Sequence, residues 1–217
     1  MSRTSLRILV SSIQKQPIWE NIALPNGDWI KFFKGFIKHP GAVGAIAPSS
    51  RYLASEMLRQ IDWKTCSAVA EIGPGTGPFT QAILDQCGKS TRFFAVEINP
   101  QFVKHLKQRF PLADIAQADA SELKALCIER QISQLDALVS GLPWAAFSED
   151  LQRKILTAIL ACLGPHGRFS TFAYLHGLPL PAGQRFRSLL NENFRSVEIS
   201  PILWRNLPPA IVYHCQK

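Results

Sequence analysis

Three acidic residues, each at or just beyond the end of a short apolar run, and one cluster of glycines are the parts of this chain whose types and spacing suit chemistry. The cluster is Glu71-Ile72-Gly73-Pro74-Gly75-Thr76-Gly77. Glycines at this spacing let a backbone turn tightly and bring its amides against a ligand. The dinucleotide pattern G-x-G-x-x-G needs glycine at position 78, where the chain has Pro78, and the lysine of a triphosphate-binding loop is absent. Glu97 stands 20 residues beyond Gly77, a separation at which a carboxylate can accept both hydroxyls of a ribose. Asp119-Ala120 follows a third apolar run, where an acid can accept the exocyclic amine of adenine. In this order the three marks point to a cofactor that carries a nucleoside.

Such residues work only if strands deliver them to one edge. From Ala68 onward, β-rich runs alternate with helical patterns, which predicts an α/β doubly wound sheet with crossover helices. Seven strands are expected, at Ala68–Ile72, Arg92–Glu97, Asp114–Gln117, Leu135–Ser140, Arg168–Tyr174, Phe194–Ser200 and Ala210–Cys215, the last two as a hairpin-like return. Helices are expected at Phe79–Cys87, Pro100–Phe110, Ser121–Arg130, Glu149–Leu163 and Gly183–Asn191. Two more helical segments, Asp28–Lys38 and Ser50–Ile61, precede the first strand and are separated by a Gly/Pro-punctuated loop. Residues 1–62 therefore read as an N-terminal helical extension and residues 63–217 as the catalytic domain.

Composition narrows the class. With 47% hydrophobic and 18% charged residues the chain is not a disordered one, and no apolar run approaches the roughly 20 residues of a transmembrane helix. The stretch Leu6–Ile13 is broken by Arg7, Ser11 and Ser12, a poor signal-peptide core, so a cytoplasmic location is expected. Five scattered cysteines without a C-x-x-C pair predict reduced thiols, and five scattered histidines predict no metal site. The net charge of +8 favours partners that carry phosphate, and half of it lies in the first 40 residues, where six Lys/Arg face two acids.

The Glu71–Gly77 turn, Glu97 and Asp119 together resemble class I methyltransferases from about Ala68 to the end. That resemblance implies S-adenosylmethionine held by Gly73, Pro74, Gly75 and Gly77, with Glu97 on its ribose, Asp119 near its adenine, Glu71, Ile98, Ala120 and Ser140 beside them, and S-adenosylhomocysteine as product. Three further runs, Gly41–Ser50, Ser140-Gly141-Leu142-Pro143-Trp144 and Trp204–Ala210, look like bacterial phospholipid N-methyltransferases, which methylate phosphatidylethanolamine. Related members methylate other amino-lipids, such as ornithine lipids. Ribosomal RNA adenine dimethylases carry a motif similar to Ser140–Trp144 with an asparagine where this chain has Gly141. An RNA adenine N-methyltransferase is therefore the alternative reading, and RNA a partner under it alone; DNA is not expected.

Acceptor residues follow from the same resemblance. The run after the fourth strand faces the methyl group in this fold, so the carbonyls of Gly141 and Leu142 are candidates to receive the amine, together with the Tyr174 hydroxyl. Ring faces attract a quaternary ammonium by about 0.5 to 2 kcal/mol, which nominates Trp144, Tyr174 and Trp204. Arg205, Ser49 and Arg51 are candidates for a lipid phosphate. At Asp28–Lys38, Trp29, Ile30, Phe33, Phe36 and Ile37 share one helical face, and Lys31, Lys34 and Lys38 the other. Basic residues beside Trp and Phe suit a helix lying in a bilayer interface, so an anionic membrane surface is the expected partner and the inner face of the membrane the expected location.

Overall fold

The computed structural model of the chain describes residues 48–217, and the expected helix over Asp28–Lys38, with all its proposed membrane-facing residues, lies outside them. The described chain runs α1 (Pro48–Leu58), β1 (Ala68–Ile72), α2 (Pro78–Gln86), β2 (Arg92–Glu97), α3 (Pro100–Arg109), β3 (Asp114–Gln117), α4 (Leu123–Glu129), β4 (Leu135–Ser140), α5 (Glu149–Cys162), β5 (Leu163–Tyr174), α6 (Pro181–Asn193), β6 (Ser196–Ile199) and β7 (Ala210–Gln216). Short 3-10 turns at Ala120–Glu122, Trp144–Ala146 and Leu175–Gly177 follow β3, β4 and β5.

The strands form one seven-stranded sheet in the order β3-β2-β1-β4-β5-β7-β6. Strands β1 to β5 are parallel, and β7 runs antiparallel between β5 and β6. All five residues of β1 are buried, as expected of a central strand covered on both faces, where apolar side chains must fill both sides. Helices α4, α5 and α6 pack on one face through Leu123, Ile155, Ile159, Phe186 and Leu190. The other face is covered by α1 and α2 through Leu53, Met57, Phe79 and Ile83, and by α3 through Val103 and Leu106. Strand order reverses between β1 and β4, so the crevice at their carboxyl ends is the topological switch point where sheets of this kind bind ligands.

Local chemistry sets where helices begin. Asn99 caps α3, its Oδ1 accepting from Gln101 N at 2.9 Å, with Pro100 in the first helical position where no amide partner is needed. Ser148 caps α5 through Leu151 N. Helix α1 is fixed to the sheet at its far end by a polar chain. The buried His214 on β7 joins Ser170 at 3.5 Å and Glu56 at 3.1 Å, Glu56 also accepts from Arg59, and Arg59 and Gln60 both reach Glu198 on β6. Burial lowers the His214 pKa against the pull of Glu56, so the ring is neutral at physiological pH and the chain stays hydrogen-bonded without a buried cation.

Several elements differ from expectation in their bounds. Strand β5 begins at Leu163, not Arg168, because its register against β4 jumps between the pairs Leu135–Leu163 and Ala137–Arg168. Gly164-Pro165 reads locally as a turn, but here it lies in a bulge that keeps the strand on the sheet. Helix α5 consequently stops at Cys162, and β6 is trimmed to four residues. No helix among the described residues is long and apolar enough to cross a membrane.

Candidate active site

The carboxyl ends of β1, β2 and β4 meet around the glycine turn. Gly73, Gly75 and Gly77 all have positive φ, at 66°, 58° and 83°, a region that disfavours any side chain. Their surroundings separate their jobs. A Cβ on Gly73 would strike Leu142, and one on Gly77 would strike Leu106 and Phe110 of the α3 segment, whereas one on Gly75 would meet nothing within 4 Å. Gly73 and Gly77 are glycine for packing, and Gly75 is the one that borders open space. Pro74 is buried beneath the turn, and Arg109 holds it from below through the Thr76 carbonyl at 2.8 Å.

Glu97 ties this turn to β2. Its Oε2 accepts from Gly75 N at 3.1 Å and its Oε1 from Asn99 N at 2.9 Å. The carboxylate is 6% exposed, yet each oxygen keeps a second lone pair for a ligand. Ile98 beside it is exposed, an apolar ledge. Asp119 lies in line beyond β3, where Ala118 N donates to the Glu97 carbonyl. Its side chain accepts from Ser121 N at 2.8 Å and Glu122 returns a bond to its backbone. The Ser121 hydrogen bonds hold the Asp119 carboxyl below its ordinary pKa, so it is an acceptor at neutral pH, with Ala120 opening the turn behind it.

Two expected cofactor residues have side chains turned elsewhere. Glu71 is wholly buried, and its Oε2 accepts from Thr80 Oγ1 of α2 at 2.6 Å, while Oε1 has no hydrogen-bond partner. Burial pushes its carboxyl up to about 8, so it is a neutral acid that clips β1 to α2. Ser140 is also wholly buried; its hydroxyl accepts from Trp144 Nε1 at 3.1 Å and Leu142 N at 3.3 Å, and shapes the turn after β4.

The acceptor candidates split in the same way. Gly141 packs so closely on the turn that a Cβ there would lie inside the Gly73 carbonyl, and its amide donates to Ile72 O at 2.9 Å. An asparagine side chain, as in the RNA adenine dimethylase motif, has no room at this position, which removes the support for the RNA reading. The Leu142 carbonyl already accepts from Trp144 N, and Leu142 forms part of a small apolar cavity of about 60 Å³ with Pro143, Tyr174, His176, Leu178 and Phe186 among its walls. Trp144 also lines it but is 3% exposed and stacked on Phe186 at 4.2 Å. Its ring is a core wall and not the open face expected for a cation. Tyr174 does sit at the cavity, and burial raises its phenol pKa, keeping the hydroxyl protonated.

Sequence reading missed His176. Its ring stacks on Tyr174 at 5.6 Å and 10°, and burial lowers its pKa below the ordinary value, so it is neutral and can take a proton. The Tyr174-x-His176 spacing at a strand end was the available signal. The phosphate candidates are dispersed. Arg205 donates to the Tyr52 hydroxyl at 2.8 Å and lies over its ring, whereas Arg51 borders a separate groove between α1 and α2. Ser49 is in the first turn of α1.

Known proteins now bear on this geometry. Residues 69–167 match the family described as a methyltransferase domain. An ornithine lipid N-methyltransferase from Singulisphaera acidiphila is 33% identical over 192 residues, covering 87% of this chain and 96% of that protein. The chain belongs to the class I S-adenosylmethionine-dependent methyltransferases. The fold agrees with a 1,6-didemethyltoxoflavin-N1-methyltransferase from Burkholderia thailandensis, solved with its substrate and S-adenosylhomocysteine, at TM-score 0.64, 18% identity and 90% and 91% coverage of the two chains. A methyltransferase from Archaeoglobus fulgidus agrees at TM-score 0.60 and 15% identity, over 86% and 99%.

As an S-adenosylmethionine-dependent N-methyltransferase, the protein needs a cradle for its cofactor, and the residues present fit one. Open space over Gly75, a carboxylate with free lone pairs at Glu97, the exposed Ile98 and the acceptor Asp119 line one edge. When bound, the cofactor supplies a methyl group on a positively charged sulfur. Glu97 would accept the ribose hydroxyls with the lone pairs left free by Gly75 N and Asn99 N, and the open face over Gly75 would border the methionine part.

Glu97→Ala is expected to weaken S-adenosylmethionine binding by about 1.5 to 3 kcal/mol, since two hydroxyls lose a charged acceptor and Gly75 loses its anchor. Calorimetry on the folded variant checks this, and unchanged affinity removes Glu97 from the site. A second expectation concerns Glu71. Its folded pKa of about 8 exceeds the ordinary 4.5, so the native state keeps a proton that the unfolded chain releases. The stability that proton contributes is complete below the ordinary value and is lost as pH rises through about 8. Glu71→Gln mimics the neutral acid, so the parent should lose thermal stability relative to this variant as pH rises from about 4.5 to about 8, and the difference should level off above that. Parallel unfolding curves across that range would show Glu71 ionised in the native protein.

Proposed function

We propose that the chain methylates the head-group amine of an amino-lipid at a membrane surface, with phosphatidylethanolamine as the acceptor that the sequence resemblance favours and ornithine lipid as the one that the relative's name suggests. The observation that carries this reading is the apolar, aromatic mouth at the ends of β4 and β5, bounded by Leu142, Pro143, Tyr174, His176 and Leu178, against the cofactor turn. It suits an amine attached to a greasy body better than a polar base. The relative's identity across nearly its whole length supports the same class.

An alkylammonium has a pKa of about 10, so at pH 7 its free amine is about a thousandfold scarce, a cost of about 4 kcal/mol unless the site desolvates the group or removes a proton. The walls of the mouth supply the first. His176, neutral and stacked on Tyr174, is suited to the second. The Tyr174 oxygen accepts from the amine and aims its lone pair at the methyl carbon, so positioning provides the remaining acceleration. His176 takes the ammonium proton first, which leaves on nitrogen the lone pair that forms the carbon–nitrogen bond while the sulfur keeps the electron pair of the carbon–sulfur bond that breaks.

Residues Trp29, Lys31, Phe33, Lys34, Phe36, Ile37 and Lys38 are proposed to touch an anionic surface on the inner face of the membrane, supported by their pattern and the chain's net charge of +8. The unpaired cysteines suit that cytoplasmic side.

Purified full-length protein incubated with methyl-labelled donor and total bacterial lipid or RNA should label lipid, with purified phosphatidylethanolamine and ornithine lipid as separate arms. Tyr174→Phe should lower turnover at least about tenfold with donor affinity retained, and Phe33→Glu with Phe36→Glu should lower activity on vesicles but not on detergent-dispersed lipid. Label in RNA and none in either lipid contradicts the proposal.

A further inference from the structure

The segment Ser200–Pro209 between β6 and β7 presents three large apolar side chains to solvent. Ile202, Trp204 and Leu207 are 38%, 55% and 81% exposed. Two of their neighbours point the other way: Asn206 is buried and Leu203 is partly buried against the sheet cluster. The backbone is held in this shape internally. Leu203 N donates to Ala210 O at 2.8 Å, Asn206 N to Leu203 O at 3.0 Å and Asn206 Nδ2 to Pro208 O at 2.6 Å, while Ser200 Oγ bonds both Val212 N and Pro201 O. An ordered loop thus holds apolar side chains in water, an arrangement that marks an interaction surface.

Place and charge say what covers it. The loop ends where Pro209 O accepts from Leu175 N and Ala210 pairs with Tyr174, so it stands on the same sheet edge as the acceptor mouth. No acidic residue occurs between Ser200 and Ala210, and the one charge is Arg205, pinned by Tyr52. A tryptophan and aliphatic side chains next to a cation suit the interface of an anionic bilayer. On the reading of the site as an amino-lipid methyltransferase, we propose that the β6–β7 loop inserts Ile202, Trp204 and Leu207 into an anionic membrane with Arg205 at the phosphate level, and so seats the acceptor mouth against the lipid head groups. This contact is separate from the one proposed for residues 29–38.

The test uses the full-length protein and vesicles of equal parts phosphatidylglycerol and phosphatidylcholine, read by co-sedimentation. Trp204→Ser with Leu207→Ser is expected to bind at least about tenfold more weakly, with thermal stability and cofactor affinity unchanged. Leu112→Ser serves as the control, because Leu112 is fully exposed in the turn before β3, on the opposite edge of the sheet, and should bind as the parent does. Undiminished vesicle binding by the double variant overturns the proposal, as does a parent protein whose sedimentation shows self-association that the double variant abolishes with vesicle binding intact. Methylation of detergent-dispersed amino-lipid by the parent is measured beside it. Absence of label there refutes the function, whereas vesicle binding needs no substrate and judges the loop independently.

Discussion

The Glu97 carboxylate is the constraint on which the site depends. By accepting from Gly75 N and Asn99 N it joins the glycine turn after β1 to the helix start after β2. Both contacts are main-chain amides, so they hold the backbone without depending on neighbouring side chains, and in a 6% exposed setting they meet little competition from water. The turn is thereby shaped before any ligand arrives, with Gly75 left open above it. Glu71 and Arg109 brace the same turn from beneath, through Thr80 Oγ1 and the Thr76 carbonyl. Gly141, with no room for a side chain against Gly73 O, brings the end of β4 into contact with it. The proposed cofactor cradle and the proposed acceptor mouth therefore share one wall.

Much of this was legible because it is local. The strand-end positions of the glycine turn, Glu97 and Asp119 follow from runs of a few residues, and parallel central strands have an apolar composition that marks them. What escaped needs partners distant in the chain. Ser140 and Glu71 look like ligand residues by position, but only the packed structure shows the Ser140 hydroxyl taken by Trp144 and one Glu71 oxygen by Thr80. Trp144 carries the aromatic type expected at a cation site, yet Phe186 of α6 already stacks on it. Gly164-Pro165 has the composition of a turn, and its placement in a bulge depends on the register with β4. His176 was overlooked because the Tyr174-x-His176 spacing at a strand end gains meaning only when the two rings are seen to stack.

The side proposed for the acceptor is built on a different principle from the side proposed for the cofactor. Around Glu97 the chain offers hydrogen-bond acceptors and open backbone. Past Leu142 it offers apolar and aromatic walls, with a protonated phenol and a neutral imidazole as the polar groups suited to an amine. Such walls favour a free amine over an ammonium, since burial disfavours the charged form. The rim beyond them continues apolar into the β6–β7 loop, where Tyr52 on α1 and Arg205 meet although 153 residues separate them in the chain. Helix α1 thus contributes to the rim while its other end is fixed by the His214 chain.

The central claim is that the cradle around Glu97 is preformed for the cofactor. A crystal structure of the protein with S-adenosylhomocysteine tests it most directly. The account predicts both ribose hydroxyls within hydrogen-bond distance of the Glu97 carboxylate, the homocysteine part over Gly75, and the Gly73–Gly77 and Gly141 backbone unchanged. A ligand bound away from Glu97, or a turn rebuilt to admit it, would contradict the account.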